Sequence, residues 1–252
     1  MMKKLNSYNL QTTQQKFYGN QIGLSAGENN LPRYNKSIVK KFSKYFGIKQ
    51  NLITKSELIL DFGAGIGSLC SIFQQTYSVT PICIEIDPYL RKILKANKFT
   101  VYENTFHLTE KFSFVYASNV LEHIENDNHA LIELNKCLTQ EGKLAIYVPA
   151  FSFLFSELDR NAGHFRRYAR KELITKVESA GFRVEKCFYS DSIGVLASLA
   201  LKIFGYRNEF GLGSERSLVI YDRAIFPISR TLDLIGFRFF LGKNLYLFAQ
   251  KI

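Results

Sequence analysis

Three alternating glycines mark the stretch LILDFGAGIGS at residues 58–68. Apolar residues lead into Asp61, and Gly63, Gly65 and Gly67 then occupy every second position. Because glycine has no Cβ and adopts positive φ at little cost, a ligand can approach such a turn closely. The apolar run before the turn predicts a short buried strand. We therefore expect a small polar molecule to rest on a strand-to-helix turn here.

An acid follows the next predicted strand, within the sequence CIEIDP at residues 83–88. Glu85 stands where doubly wound folds place a carboxylate that accepts hydrogen bonds from both hydroxyls of a ribose. Asp87 directly precedes Pro88, an order typical of the N-cap and first residue of a helix. We therefore predict a ribose ligand role for Glu85 and a structural role for Asp87.

The run from Asp61 to Gly67 resembles the D-x-G-x-G-x-G motif of class I methyltransferases, and SNVLEHIEND at residues 118–127 resembles a later segment of their small-molecule members. The resemblance covers residues 57–190 and the final strand. It implies S-adenosylmethionine as cofactor and S-adenosylhomocysteine as product. It also implies that these residues contact the cofactor: Asp61, Gly63, Ala64, Gly65, Gly67, Glu85, Ile86, Asn104, Thr105 and Asn119. Asn104 departs from the acid usual near the adenine, but its amide oxygen can still accept a hydrogen bond.

Methyl transfer from a sulfonium mainly requires that nucleophile, methyl and sulfur be aligned away from bulk water. A base is needed only for a hydroxyl or a protonated amine. His123, with an unperturbed pKa of about 6.5, is one candidate base, and His164 is the other. The resemblance places Glu122 and His123 toward the reaction chamber. We predict no metal site, because no cluster of residues has metal-ligand spacing along the sequence.

The segment LDRNAGHFRRYARKEL at residues 158–173 brings Arg166, Arg167 and Tyr168 together after the fifth predicted strand. Guanidinium groups bind phosphate or carboxylate bidentately, and a tyrosine ring offers a stacking surface, so these three residues are candidates for acceptor binding, with Glu122. The alternative is that the arginines fix the loop through salt bridges to Asp159 or Glu172. The stretch also resembles a G-H-x-R-R-Y element of bacterial methyltransferases that accompany glycosyltransferases of surface-polysaccharide pathways.

Strand-like and helix-like segments alternate between residues 57 and 148, which indicates parallel strands joined by helical crossovers. We predict an α/β fold, a doubly wound and mostly parallel seven-stranded sheet with an antiparallel C-terminal strand. Residues 1–56 would form a basic helical cap and 57–252 the methyltransferase domain, with a helical insertion at about 191–242. The insertion carries an apolar stripe that includes Leu196 and Ile203, and a kink is expected at Pro227. We expect the insertion to pack on the main domain, and the alternatives are a lid, a dimer interface or a membrane contact.

The chain has 252 residues and a net charge of +11, and residues 1–55 hold ten Lys or Arg residues against Glu28 alone. This imbalance favours anionic partners, although a solvated helix face would look the same. We expect a small-molecule or glycan acceptor with an anionic group, and a membrane-surface contact as a further option. No run of apolar residues is long enough to span a membrane, so we expect a cytoplasmic protein, with attachment to the inner face of the membrane left open. The four scattered cysteines indicate neither a disulfide framework nor a zinc site.

Three other functions stay open at this point. A nicotinamide dehydrogenase is disfavoured because Ser68 replaces the third glycine of G-x-G-x-x-G. A nucleic-acid methyltransferase or binder fits the basic N-terminal region, but no nucleic-acid-binding module is recognisable. A protein that binds S-adenosylmethionine without catalysis would fit the departure at Asn104.

Overall fold

A seven-stranded sheet organises the molecule, which a computed structural model describes over residues 30–49, 58–204 and 215–252. The strand order is β3-β2-β1-β4-β5-β7-β6. Strands β1 to β5 are parallel, and β7 lies antiparallel between β5 and β6. The strands are β1 Ile59–Phe62, β2 Ile82–Ile84, β3 Val101–Tyr102, β4 Phe112–Ser118, β5 Leu138–Pro149, β6 Phe182–Ser190 and β7 Asn244–Lys251. The predicted α/β fold with its antiparallel C-terminal strand is confirmed.

Helices cover both faces of the sheet, as parallel strands require. They are α1 Pro32–Phe46, α2 Ser68–Tyr77, α3 Pro88–Ala96, α4 Asp127–Cys137, α5 Glu157–Asn161, α6 Arg170–Ser179, α7 Ser192–Phe204, α8 Glu215–Ile220 and α9 Phe226–Leu234. Short 3-10 turns span Thr105–His107, Leu121–His123, Ser152–Leu154 and Phe237–Phe239, and a π-helical turn spans Tyr221–Ile225.

Alternate residues of β1, β4, β5 and β7 feed two large cores because strand side chains point to opposite faces, and a third, smaller core contains Cys83 of β2. Leu60 belongs to the core that α4 and α6 cover, whereas Ile59 belongs to the core under α1 and α2. The second core is rich in aromatic rings, and Phe42 of α1 lies against Tyr116 of β4 at 5.4 Å between ring centroids. The sheet is therefore held rigidly on both sides, with its carboxyl edge free to carry a site.

Helix α1 is fastened to the insertion as well as to the sheet. The Asp222 carboxylate, in the π-helical turn, accepts hydrogen bonds from the backbone amides of Arg33 (3.1 Å) and Tyr34 (2.8 Å). The Tyr34 hydroxyl bonds to that of Tyr147 in β5 at 2.6 Å. Of the predicted cap at residues 1–56, the structure describes only 30–49, so Lys3, Lys4, Lys16 and Lys55 lie outside the described residues.

Most of the described part of residues 191–242 is helical, as predicted. The π-helical turn ends two residues before Pro227, where the kink was expected. The expected packing of the apolar stripe is wrong for part of α7, because Leu196 is 64% and Ile203 65% exposed. Among the residues described, no helix combines the length and hydropathy that crossing a membrane would require.

Candidate functional site

The glycine turn after β1 has the backbone geometry that its sequence predicts. Gly63, Gly65 and Gly67 have φ angles of 80°, 57° and 87°. The amides of Gly63 and Ala64 donate to the Ile84 carbonyl at 2.8 and 3.0 Å, which ties the turn to the end of β2. The turn also packs closely on the segment after β4, because a Cβ on Gly63 would lie 2.4 Å from Val120 Cγ2. Three neighbouring strands thus meet at this turn.

Glu85 lies at the same edge, just after β2. Its Oε2 accepts a hydrogen bond from the Gly65 amide at 2.8 Å, and its Oε1 accepts one from the Asp87 amide at 2.9 Å. Burial raises the pKa of Glu85, and the two amide hydrogen bonds oppose that shift. Each oxygen retains a lone pair for a further donor, so the carboxylate is oriented in advance for a ligand with two hydroxyls.

The two residues that follow Glu85 have different roles. Asp87 caps α3, since its Oδ1 accepts hydrogen bonds from the amides of Tyr89 (2.7 Å) and Leu90 (3.1 Å), and its predicted structural role is confirmed. Ile86 is 72% exposed beside the turn, which is unusual for a large apolar side chain next to a predicted ligand. Its exposed face is available to a flat apolar group such as a nucleobase.

Asp61 is committed to internal contacts. Its Oδ2 accepts hydrogen bonds from the Tyr116 hydroxyl at 2.8 Å and the Cys70 thiol at 3.1 Å, which joins β1 to β4 and α2. Burial raises the pKa of Asp61 to about 7. The carboxyl therefore anchors the start of the turn, and its contact with a cofactor stays a prediction.

The polar residues expected near an adenine and under the cofactor shape local turns. Asn104 Oδ1 accepts from the Phe106 amide at 3.1 Å, and the Thr105 hydroxyl donates to Glu133 at 3.3 Å. Asn119 follows β4 with a φ of 53°, a left-handed conformation that asparagine tolerates better than most residues. All three lie at the carboxyl edge of the sheet, and their cofactor contacts stay predictions.

Two histidines from distant parts of the chain meet beside Glu122. The rings of His123 and His164 are 4.5 Å apart and nearly perpendicular. The Phe165 amide donates to the Glu122 carbonyl at 2.8 Å, which holds the loop after β5 against the 3-10 turn after β4. One ligand-type atom from each of Glu122, His123 and His164 lies within 4.8 Å of the others. Sequence spacing gave no sign of this group because 41 residues separate its histidines.

The two histidines have different surroundings. His164 Nδ1 bonds to the Asp159 carboxylate at 2.9 Å, whereas His123 has a backbone hydrogen bond with Gly163. The His123 ring is exposed on one side, but the protein around it removes enough water to lower its pKa, and nearby His164 lowers it further. His123 is therefore a weaker base than its unperturbed pKa suggested. The sequence did not predict that Asp159 would pair with His164. The capping box formed by Ser156 and Asp159 was the available sign that Asp159 is an ordered residue.

Glu122 does not face an open chamber as predicted. Its side chain is fully buried, and neither carboxylate oxygen has a hydrogen-bond partner among the residues that the structure describes. Burial raises the pKa of Glu122 to about 8. A carboxyl group in this setting needs a partner of its own, since burying its oxygens without a hydrogen bond is costly whether or not the group is ionised.

The loop residues predicted to bind the acceptor are mostly used within the protein. Tyr168 is fully buried and its hydroxyl donates to Asp127 at 2.8 Å, so its predicted stacking on an acceptor is wrong. Arg167 pairs with Asp159 at 2.9 Å, as the alternative expectation had it. Arg166 pairs with Asp127 at 2.8 Å, not with Asp159 or Glu172, and keeps part of its side chain exposed. The paired arginines hold the loop in place.

Comparison with known families agrees with this geometry. A family model described as "Methyltransferase domain" matches residues 28–186, more than half of the chain. The chain therefore belongs to the methyltransferase-domain family, and with its seven-stranded sheet it is a class I, S-adenosylmethionine-dependent methyltransferase. A search of curated proteins gave no match.

Solved structures share the fold at low sequence identity. An S-adenosylmethionine-dependent methyltransferase from Archaeoglobus fulgidus is 16% identical with a TM-score of 0.51, covering 86% of this chain and 94% of that one. Phosphoethanolamine N-methyltransferase 2 of Haemonchus contortus, solved with S-adenosylmethionine, is 16% identical with a TM-score of 0.53, covering 86% and 52%. The [4+2]-cyclase SpnF is 14% identical with a TM-score of 0.55, covering 86% and 81%. At such identities the likeness concerns the fold alone, and the acceptor has to be argued from this chain.

Proposed function

We propose that the protein transfers the methyl group of S-adenosylmethionine to a small anionic acceptor that carries a glycan or lipid part. The observation that carries the cofactor half is the orientation of Glu85, whose two oxygens are held by the amides of Gly65 and Asp87. In this arrangement the ribose hydroxyls bond to Glu85 and the methionine part lies along the glycine turn. The adenine packs on Ile86, near Asn104 and Thr105, and Asn119 lies below the sulfonium.

The acceptor then approaches from the segments that follow β4 and β5. His123 is exposed there, and the loops after β5 also expose the apolar rings of Phe153 and Phe165. Apolar rings next to a polar cluster suit a molecule with both a sugar or hydrocarbon part and a reactive polar group. The chemistry of the loop thus supports an acceptor of mixed character, which is also what the G-H-x-R-R-Y resemblance implies.

A cationic groove between α1 and α9 supports the anionic part of this proposal. Its volume is about 360 Å³, and the described residues that line it include four cations and no acid: Arg33, Lys36, Ser37, Lys40, Phe226, Pro227 and Arg230. Because Arg167 is buried against Asp159 and Arg166 pairs with Asp127, this groove replaces the loop as the proposed contact for a phosphate. We therefore favour a binding role for the basic residues of α1 over a merely solvated helix face.

Exposed apolar residues extend from this groove along the end of the insertion: Ile228, Leu234, Ile235, Phe237, Phe239 and Phe240. Large apolar side chains beside arginines and lysines are typical of proteins that rest on an anionic membrane surface. We propose that the protein works in the cytoplasm at the inner face of the membrane, where a lipid-linked acceptor would be present.

Label transfer tests the proposed acceptor. The enzyme is incubated with radiolabelled S-adenosylmethionine and separate extracts of nucleotide sugars, lipid-linked glycans, RNA and protein. We expect the methyl group to enter one of the two sugar-bearing fractions. Label found only in RNA or protein would refute the acceptor class, and cofactor binding without label in any fraction would favour a non-catalytic binding protein.

Charge reversal tests the groove. Lys36→Glu with Arg230→Glu should abolish co-sedimentation with vesicles that contain an anionic phospholipid, because two attractive charges become repulsive. Lys95→Glu with Lys171→Glu reverses two exposed lysines on α3 and α6, so it serves as the matched control and should retain co-sedimentation. Equal vesicle binding by both variants, or equal binding to neutral vesicles, would contradict the membrane contact.

A further inference from the structure

The group formed by Glu122, His123 and His164 has the composition of a metal site. We propose that these three side chains bind a divalent transition-metal ion at the acceptor side of the sheet. Their ligand-type atoms already lie within 4.8 Å of one another, so an ion placed between them would need only small side-chain movements. Sequence separation alone hid the site, because Glu122 and His123 come from the turn after β4 and His164 from the loop after β5.

The unpaired carboxylate of Glu122 is the independent sign that something binds here. Both oxygens are buried, and neither has a partner among the described residues. Buried carboxylates are normally paired, hydrogen-bonded or bound to a metal, and leaving one without any of these costs stability. Arg167 lies close by, and its positive charge favours the ionised form of Glu122. Its Nε is bonded to Asp159 at 2.9 Å, whereas its Nη1 is buried without a partner among the described residues, so Arg167 gives the Glu122 carboxylate no hydrogen bond. A cation between Glu122 and the two histidines would satisfy the carboxylate.

The histidines are oriented as metal ligands usually are. A ligating histidine commonly gives its other ring nitrogen to a carboxylate or a backbone carbonyl, which fixes the ring and its tautomer. His164 Nδ1 has Asp159 as that partner at 2.9 Å, which leaves its Nε2 to bind an ion. His123 has its hydrogen bond with the backbone of Gly163. Asp159 is in turn held by the amide of Ser156 at 2.9 Å.

The ligand set indicates which ions fit. Two imidazoles and one carboxylate suit Zn²⁺, Mn²⁺, Fe²⁺ or Co²⁺, whereas Mg²⁺ and Ca²⁺ prefer oxygen ligands throughout. Three protein ligands with one histidine exposed leave coordination positions open toward solvent. An open position is what a metal needs to bind a substrate oxygen.

The role of the ion rests on the proposed function. An acceptor hydroxyl bound at the open position would lose its proton more readily, because a divalent cation lowers the pKa of an oxygen that it binds. The proton would leave to solvent or to a nearby base, and the resulting oxyanion would attack the methyl carbon as the carbon–sulfur bond breaks. Ion binding itself does not depend on this role.

Titration of chelator-treated protein tests the site. Co²⁺ is added to the wild type, to Glu122→Gln and to His164→Gln, and binding is followed by visible absorption and by metal analysis after gel filtration. We expect one equivalent in the wild type and, in both variants, a loss of affinity larger than the about 10–100-fold that follows removal of an outer hydrogen bond. His129→Gln removes an exposed histidine outside the group and should bind Co²⁺ as the wild type does.

Thermal unfolding distinguishes the loss of a metal ligand from misfolding of a variant. Added Mn²⁺ or Zn²⁺ should raise the melting temperature of the wild type and of His129→Gln, but not that of Glu122→Gln. Absence of stoichiometric Co²⁺ binding in the wild type, or equal binding by Glu122→Gln, would overturn the metal site. Calorimetry with S-adenosylmethionine on the same samples separates that result from a failure of the proposed function.

Discussion

Gly63 shows how closely the residues of the turn are fitted to their surroundings. Its φ of 80° disfavours any residue with a Cβ, and Val120 occupies the space into which that Cβ would project. Gly47, at the end of α1, has nearly the same φ of 81° but open space around it. The two positions therefore separate the cost of the backbone conformation from the cost of crowding.

Replacing each glycine with alanine measures these costs. Gly47→Ala should lower the free energy of unfolding by about 1–2 kcal/mol, the cost of a left-handed conformation. Gly63→Ala should lower the free energy of unfolding by about 1–3 kcal/mol more than Gly47→Ala does, because Val120 must move to make room for the Cβ, as in an overpacked core. Urea denaturation of both variants measures the difference. Equal losses would show that Val120 yields freely and that the turn is not tightly packed against the segment after β4.

Single residues were predictable where their partners are local. The glycine turn and the Asp87 cap could be recognised because the backbone that they serve lies within a few residues. Glu122 and Tyr168 were misjudged because their surroundings come from segments some forty residues away. No pattern along the chain shows that Tyr168 is buried against Asp127, or that Glu122 lacks a partner.

At the scale of elements, the start of α1 depends on the insertion. Leu31 stands at the N-cap of α1 and cannot accept a hydrogen bond through its side chain. Asp222 provides that cap from the π-helical turn, 188 residues away from Tyr34. The insertion therefore completes the helix that lines one side of the cationic groove, which supports treating α1 and α9 as parts of one surface.

Asp222→Ala should reduce the free energy of unfolding by about 0.5–2 kcal/mol, the usual cost of losing a helix cap. Asp222→Asn should lose less, because its amide oxygen can still accept a hydrogen bond from one of the two amides. Urea denaturation compares the two variants with the wild type. If the Asp222→Ala and Asp222→Asn variants are equally stable, the hydrogen bonds from residue 222 to the start of α1 contribute nothing to stability.

The strands and helices were predictable because their apolar residues recur at the correct spacing, with errors confined to their ends. Strand lengths were not predictable in this way, since β3 spans only two residues and β5 spans twelve. The exposure of Leu196 and Ile203 could not be predicted, since an apolar stripe on a helix looks the same whether it faces a core, a membrane or another chain. Tertiary contacts alone distinguish these cases.

At the scale of the whole molecule, Asp127 connects three elements. It lies at the start of α4 and accepts hydrogen bonds from Lys176 of α6 at 2.9 Å and from Tyr168 at 2.8 Å, besides its pair with Arg166. Burial alone would raise the pKa of Asp127, but these donors outweigh burial and hold the pKa below its usual value. The carboxylate thereby links stability to pH.

Since the folded-state pKa of Asp127 is depressed, its contribution is complete above the unfolded pKa of about 3.9 and is lost as the pH falls toward the folded pKa. Asp127→Asn should cost at least about 1.5 kcal/mol at pH 7, the lower bound for a hydrogen bond to a charged group. The difference in free energy of unfolding between the variant and the wild type should shrink below about pH 4. Urea denaturation at pH 7, 5, 4 and 3 measures it, and a constant gap would contradict the assignment.

The account as a whole depends on S-adenosylmethionine binding at the edge formed by the glycine turn and Glu85, and calorimetric titration of the wild type and Glu85→Ala tests that claim most directly. We predict one equivalent bound by the wild type and a loss of about 1.5–3 kcal/mol in the variant, because the ribose hydroxyls lose a charged acceptor. Glu110→Ala, which removes an exposed acid just before the amino end of β4, is the control and should bind as the wild type does. Unchanged affinity in Glu85→Ala, or no binding by the wild type, would contradict the account.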